Sequence, residues 1–445
     1  MVTSVTRRTR LSLLLAALGV FAVAAVAVPR SAAPLPAVAG ALPCTAGTTI
    51  NGTTTFNLQA RSGRISTPDG SSMFMWGFAK NPGSFQMPGP ILCVTESPTT
   101  EIRVNLTNLN IPEPVSIVFP GQTVVSAEMV VELVPPGPAD NLFTLEAGIG
   151  ETVRYKFKAN QPGTYLYESG TNVHKQIQMG LYGALIVRPT MGANFAYNDL
   201  TTEFNPSRLT GGGEYLLLLH DMDPDLHRAV ERNEPYDITT KHDRYWTING
   251  RSFPDTIAAD NIAYLPSQPY GALVRVRPYN ALTNAKPALI RMLNAGMSNH
   301  PLHPHGNHLR VIAQDGRLLG PGISLSREQF TRTAGSGQTF DMLFKWTNAE
   351  NWSSTHAIPV TVPLLRNLVF KDKVTWYSGS PYLGKKGTLP AGTVSYNRCG
   401  EYYYPWHSHA LNEFQNFDEG FGGLATLLRV DPPVGQGTPS SCPGP

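Results

Sequence analysis

Hydrophobic and polar positions alternate in short runs, broken by Gly, Pro, Asn and Asp, and this period predicts strands rather than helices. Ile102-Arg103-Val104-Asn105-Leu106 alternates, Val115-Ser116-Ile117-Val118-Phe119 reads as a half-buried strand, and Leu181-Tyr182-Gly183-Ala184-Leu185-Ile186-Val187 closes a series that begins at Thr45. A second series opens at Glu214-Tyr215-Leu216-Leu217-Leu218-Leu219 and closes at Leu424-Ala425-Thr426-Leu427-Leu428-Arg429-Val430. Each series predicts a β-sandwich, so the fold class is all-β. Both closing strands follow Gly and run into Arg and Pro, which points to a duplicated unit. The resulting domains are 40–190 and 214–433, joined by a polar, aperiodic linker at 191–213. A Ser-, Gly- and Pro-rich insertion near 348–400 is expected to cover a face, and 434–445 forms a loose tail.

The length of 445 residues agrees with two cores. Charged residues make up only 15%, against 41% apolar, which excludes charge-driven disorder, and 41 Gly with 38 Pro favour turns. Residues 1–39 read as a secretory leader: Arg7, Arg8 and Arg10 precede an apolar run from Leu11 to Val28, and Ala37-Val38-Ala39 offers a cleavage site. An uncleaved anchor is the alternative. The net charge of +3 includes four leader arginines, Arg30 being the fourth, and no leader acid, so the processed chain is close to neutral. No nucleic-acid partner is expected. Export to a secreted or periplasmic location makes disulfides the default for Cys44, Cys93, Cys399 and Cys442. Four cysteines allow three connectivities; Cys44 with Cys93 and Cys399 with Cys442 keeps each bridge within one half.

Chemistry concentrates in two windows, His300-Pro301-Leu302-His303-Pro304-His305 and His407-Ser408-His409. On a strand, residues i and i+2 share a face, so each H-x-H pair presents two imidazoles together. If the two strands are neighbours, with cross-strand Cβ separations of ~5 Å, His303, His305, His407 and His409 converge on a first-row transition metal. His220, His227, His242 and His356 read as residues of polar loops. Asp221-Met222-Asp223-Pro224-Asp225 lacks the Gly and terminal Glu of a calcium loop and reads as a solvated turn. The run Tyr402-Tyr403-Tyr404-Pro405-Trp406 reads as core packing.

The chain resembles the multicopper oxidases, the cupredoxin-domain family of laccases and ascorbate oxidases. The resemblance rests on Met87-Pro88-Gly89-Pro90-Ile91, Pro162-Gly163-Thr164-Tyr165-Leu166-Tyr167, Ile248-Asn249-Gly250-Arg251, Arg291-Met292-Leu293-Asn294-Ala295-Gly296 and the two histidine windows. It implies two cupredoxin-like Greek-key sandwiches. It also implies that His303 matches a type 2 copper ligand, that His305, His407 and His409 match type 3 ligands, and that His300 matches a type 1 ligand. The rest of the family's set is missing: Val118 and Pro120 stand where the first H-x-H motif belongs, and Gly170 lies in the second. Ser408 replaces the type 1 cysteine, and Glu413 stands where a type 1 histidine is expected. A serine hydroxyl cannot replace a soft thiolate, so four-electron laccase chemistry is not expected.

The expected centre is therefore mononuclear, with His300, Glu168, Glu413 and His174 as candidate additional or outer donors. Copper is the expected cofactor, with zinc or another first-row metal as alternatives. The functional expectation is an exported copper-binding oxidoreductase acting on a small-molecule reductant or a metal ion. The competing reading is a non-catalytic cupredoxin scaffold that binds a protein or envelope partner; copper delivery ranks last. Two-domain relatives form homotrimers with shared sites, but every copy would lack the same first-domain ligands.

Overall fold

The computed structural model describes residues 42–131, 133, 144–359, 366–369, 385–388 and 396–437. The expected leader at 1–39, Cys442, the end of the tail and much of the 348–400 insertion lie outside the described residues. Among the described residues the fold is almost entirely strands, with only two α-helices, Val173–Gln176 and Pro224–Arg232. No helix among them is long and apolar enough to cross a membrane.

Four sheets form two Greek-key sandwiches. The first half pairs a sheet built around Thr53–Ser66, Glu101–Asn108 and Thr152–Lys158 with one ordered Thr45–Ala46, Leu92–Thr95, Tyr182–Arg188, Gly163–Glu168. Strict alternation in Glu101–Asn108 turns Ile102, Val104 and Leu106 inward, where they meet Leu185 and Val187 in one core. The second half repeats the plan. Glu214–Met222 runs parallel to Ala288–Asn294, as Thr53–Ser66 does to Glu101–Asn108, and the closing strand Ala425–Val430 pairs parallel with Val274–Val276, as Tyr182–Arg188 does with Leu92–Thr95.

The uninterrupted leucine run at 216–219 has a physical reason. Leu217 and Leu219 enter the second core, whereas Leu216 and Leu218 pack with Leu166, Ala184 and Ile186 of the first sandwich, so this strand is buried on both faces. Ion pairs close the same seam: Arg291 Nε donates to Glu214 at 2.6 Å, and Arg188 reaches the other Glu214 oxygen at 2.7 Å.

Several local expectations are corrected. Residues 115–119 form isolated bridges, Val115 to Ala147 and Val118 to Glu168, rather than a strand, because Pro112, Pro114 and Pro120 cannot sustain a ladder. The 191–213 segment is packed rather than a loose linker: Ala196, Tyr197 and Phe204 are buried against Leu289, Ile312 and Leu343, and the Tyr197 hydroxyl donates to Asp341 at 2.5 Å. Asp221-Met222-Asp223 is no solvated turn. Asp221 and Met222 end a buried strand, and Asp223 caps helix Pro224–Arg232 by accepting from Asp225 N–H. His220 lies on that strand and His227 on that helix, both buried, so neither belongs to a polar loop. Burial pushes their pKa values down to about 3 and about 4, which keeps both neutral.

Cys44 and Cys93 are joined, with Cα atoms 5.5 Å apart, tying the first short strand to its neighbour. Cys399 is buried and disulfide-bonded.

Candidate metal centre

The strands His300–Pro304 and Tyr402–Ser408 are antiparallel neighbours in register His303↔His407 and Leu302↔Ser408. Beyond the ladder, His305 N–H donates to Pro405 O and His409 N–H to Pro301 O, so the pairing extends at both ends. That register puts residues 303, 305, 407 and 409 on one face and Leu302, Trp406 and Ser408 on the other. Leu302 and Trp406 belong to the core, hence the four imidazoles stand on the outer face of the sheet.

Ring centroids lie 4.8 Å apart for His303 and His305, 5.6 Å for His303 and His407, and 5.3 Å for His305 and His407. One nitrogen from each of these three falls within 4.8 Å of the others, and among the described residues no other group of three or more His, Cys, Asp or Glu side chains is gathered in this way. His409 is adjacent, 4.9 Å from His303, but it is exposed and sits at the rim of the trio rather than in it.

Hydrogen bonds fix two of the rings. His407 Nδ1 lies 2.7 Å from the Ser408 carbonyl, which can only accept, so Nδ1 carries the proton and Nε2 keeps its lone pair. That Nε2 is 3.3 Å from His305 Nε2. Two facing lone pairs at this distance repel unless a shared proton or a cation lies between them. His303 Nδ1 is 2.7 Å from Thr331 Oγ1. Burial and the neighbouring imidazoles lower the pKa values of His303, His305 and His407, so all three are neutral near pH 7. Phe414 stacks on His407 and Phe330 meets His303 edge-on. Neutral imidazole nitrogens suit Cu(II) or Zn(II) and are a poor match for Ca²⁺ or Mg²⁺, so the donor set fits the expected metal class.

The other expected donors are not part of this group. His300 lies on the core side of its strand and is fully buried, with Nδ1 3.0 Å from Glu413 and Nε2 3.6 Å from Asp221. Burial opposes its charge, but the two carboxylates win and push it up to about 9, so it is an imidazolium at neutral pH. A protonated ring cannot ligate a metal. Glu413 is thereby the partner of His300, not a donor to the trio. Asp221, which also accepts from Met297 N–H and Ser298 N–H, completes the clamp. At the position that the resemblance assigns to type 1 copper, the chain therefore holds a buried cation between two carboxylates, with the Ser408 hydroxyl accepting from Ala410 N–H.

Glu168 ends a strand of the first sandwich, where burial pushes it up to about 7, and it does not join the imidazoles. His174 is exposed on helix Val173–Gln176 and lines a separate cleft of about 310 Å³ with Trp76, Leu226 and Tyr236. At one first-domain ligand position, Gly170, the packing is closed. A Cβ on Gly170 would lie 2.6 Å from Val118 Cγ1 and 3.1 Å from Ser116 Oγ, leaving no room for an imidazole. Sequence reading missed Thr331, Phe330 and Asp221, because each reaches the histidine windows only through the fold.

Residues 67–192 match the family model described as "Multicopper oxidase". The chain is 27% identical over 229 residues to an L-ascorbate oxidase of Cucurbita maxima, a match that covers 47% of this chain and 34% of that protein. It thus spans about a third of the curated relative it matches. Among solved structures it is similar to a blue copper oxidase from Nitrosomonas europaea, with a TM-score of 0.52, 20% identity and coverage of 85% and 86% of the two chains. It is also similar to the multicopper oxidase mgLAC, with a TM-score of 0.55, 18% identity and coverage of 87% and 89%. These two likenesses establish the shared fold.

Proposed function

We propose that the chain is an exported copper-binding oxidoreductase of multicopper-oxidase type with a reduced, mononuclear histidine centre and no type 1 blue copper; the match of residues 67–192 to the multicopper oxidase family model and the likeness to an L-ascorbate oxidase support this starting point. The observation that carries this reading is the set of three neutral imidazoles, His303, His305 and His407, with nitrogens within 4.8 Å of one another. Copper held there would supply one-electron exchange with a small-molecule reductant or a substrate metal ion.

The residues divide the remaining work. His303, His305 and His407 offer the ligand nitrogens. The Ser408 carbonyl holds the His407 proton on Nδ1, and Phe414 fixes that ring from its face. His409, exposed at the rim, stands where a substrate first arrives. The His300 clamp carries no metal in this scheme; it keeps the core beneath the site charge-paired.

The test is oxygen- or peroxide-dependent oxidation of phenols by the copper-loaded protein, set against its His305→Ala and His407→Ala variants. Turnover in the parent that both variants abolish supports the proposal, and equal turnover in all three rejects it. The non-catalytic scaffold is the second reading, favoured by the closed packing of Val118 against Gly170. It predicts no turnover and partner binding that neither substitution changes.

A further inference from the structure

Thr331 sits between the short strands Arg327–Gln329 and Arg332–Ala334, next to Phe330, and lies far from the histidine windows in sequence. The second of these strands pairs with His300–Pro304 in register Leu302↔Arg332, which carries Thr331 to the edge of His303. Its hydroxyl oxygen is 2.7 Å from His303 Nδ1. The phenyl ring of Phe330 meets the same imidazole edge-on at 5.8 Å and limits its rotation.

We infer that Thr331 is a positioning residue for the centre: its hydroxyl holds the His303 ring with the proton on Nδ1, so that Nε2 is the nitrogen presented to the metal. The inference deepens the proposed function, since it assigns the outer contact of one of its three ligands. The geometry parallels that of His407, whose Nδ1 is held by the Ser408 carbonyl; a hydroxyl, unlike a carbonyl, can also donate, so at His303 the proton on Nδ1 is the inferred step rather than one dictated by the partner. An imidazole free to exchange tautomers offers the correct nitrogen only part of the time, and loss of such an outer contact typically weakens metal affinity about 10–100-fold.

Two measurements on the full chain test it separately from the function. First, nitrogen-15 NMR of the metal-free protein reads the His303 tautomer directly. The parent is expected in the Nδ1–H form, Thr331→Val in a mixture of forms, and Thr331→Ser back in the Nδ1–H form. An Nε2–H ring in the parent, or a ring unchanged in Thr331→Val, overturns the inference whatever the protein does with metal. Second, competition titration with Cu(II) should show Thr331→Val binding about 10-fold or more weakly, with an altered nitrogen pattern in its EPR spectrum, and Thr331→Ser within about 2-fold of the parent. Equal Cu(II) affinity and identical EPR spectra in parent and Thr331→Val overturn the positioning role. A parent that shows the expected tautomer behaviour but binds no Cu(II) instead rejects the proposed function.

Discussion

Removing the His300 imidazole tests the claim that a buried cation stands where the resemblance places type 1 copper. In the folded chain this ring is raised from 6.5 to about 9, which converts to roughly 3 kcal/mol of stability at neutral pH. Breaking a buried ion pair by deleting one partner independently suggests about 3–5 kcal/mol, so the two routes agree. The sign follows from the raised value. The contribution is complete below about 6.5, where the unfolded imidazole is also protonated, and it is lost as pH rises through about 9. His300→Gln should therefore melt well below the parent at pH 6, by about 2–4 °C for each kcal/mol lost, and the gap should narrow steadily towards pH 10. Thermal unfolding followed by circular dichroism across that range reads the gap. A gap that is constant with pH, or no gap at pH 6, would refute the clamp.

Ser408→Cys should not create a blue copper site, because Glu413 still replaces a histidine and still holds His300; the absorption spectrum of the copper-loaded variant should lack an intense band near ~600 nm. Gly170→Ala should destabilise the first sandwich by about 1–3 kcal/mol in denaturant unfolding, because its new Cβ meets Val118 Cγ1 at 2.6 Å. Since burial lowers the His303, His305 and His407 pKa values below 6.5, copper retention on dialysis should persist to about pH 6 and fall only as the medium becomes more acid. Loss of copper already at pH 7.5 would contradict that ordering.

The strands and the facing of the histidines were legible because a period of two is set by the backbone itself: knowing that 303 and 305, and 407 and 409, share faces requires no tertiary information. The register His303↔His407 was not legible, and it decides which imidazoles become direct neighbours and leaves His409 at the rim. From the sequence His300 reads as a candidate additional or outer donor, because its two carboxylate partners, Asp221 and Glu413, arrive from distant segments. The error on Asp221-Met222-Asp223 has the same root. Its polar letters suggest solvent, yet buried carboxylates are stable where backbone N–H groups and cations converge on them, as Met297, Ser298 and Lys241 do on Asp221. The Val115–Phe119 run shows the opposite failure, an apolar pattern that prolines kept from becoming a strand.

Metal analysis of the copper-loaded chain, coupled to its EPR and absorption spectra, tests the account most directly. A single retained copper with nitrogen coupling from the imidazoles, no intense band near ~600 nm, and loss of that copper in His305→Ala is the predicted result. Copper that washes out completely, or an intense blue band, would contradict it.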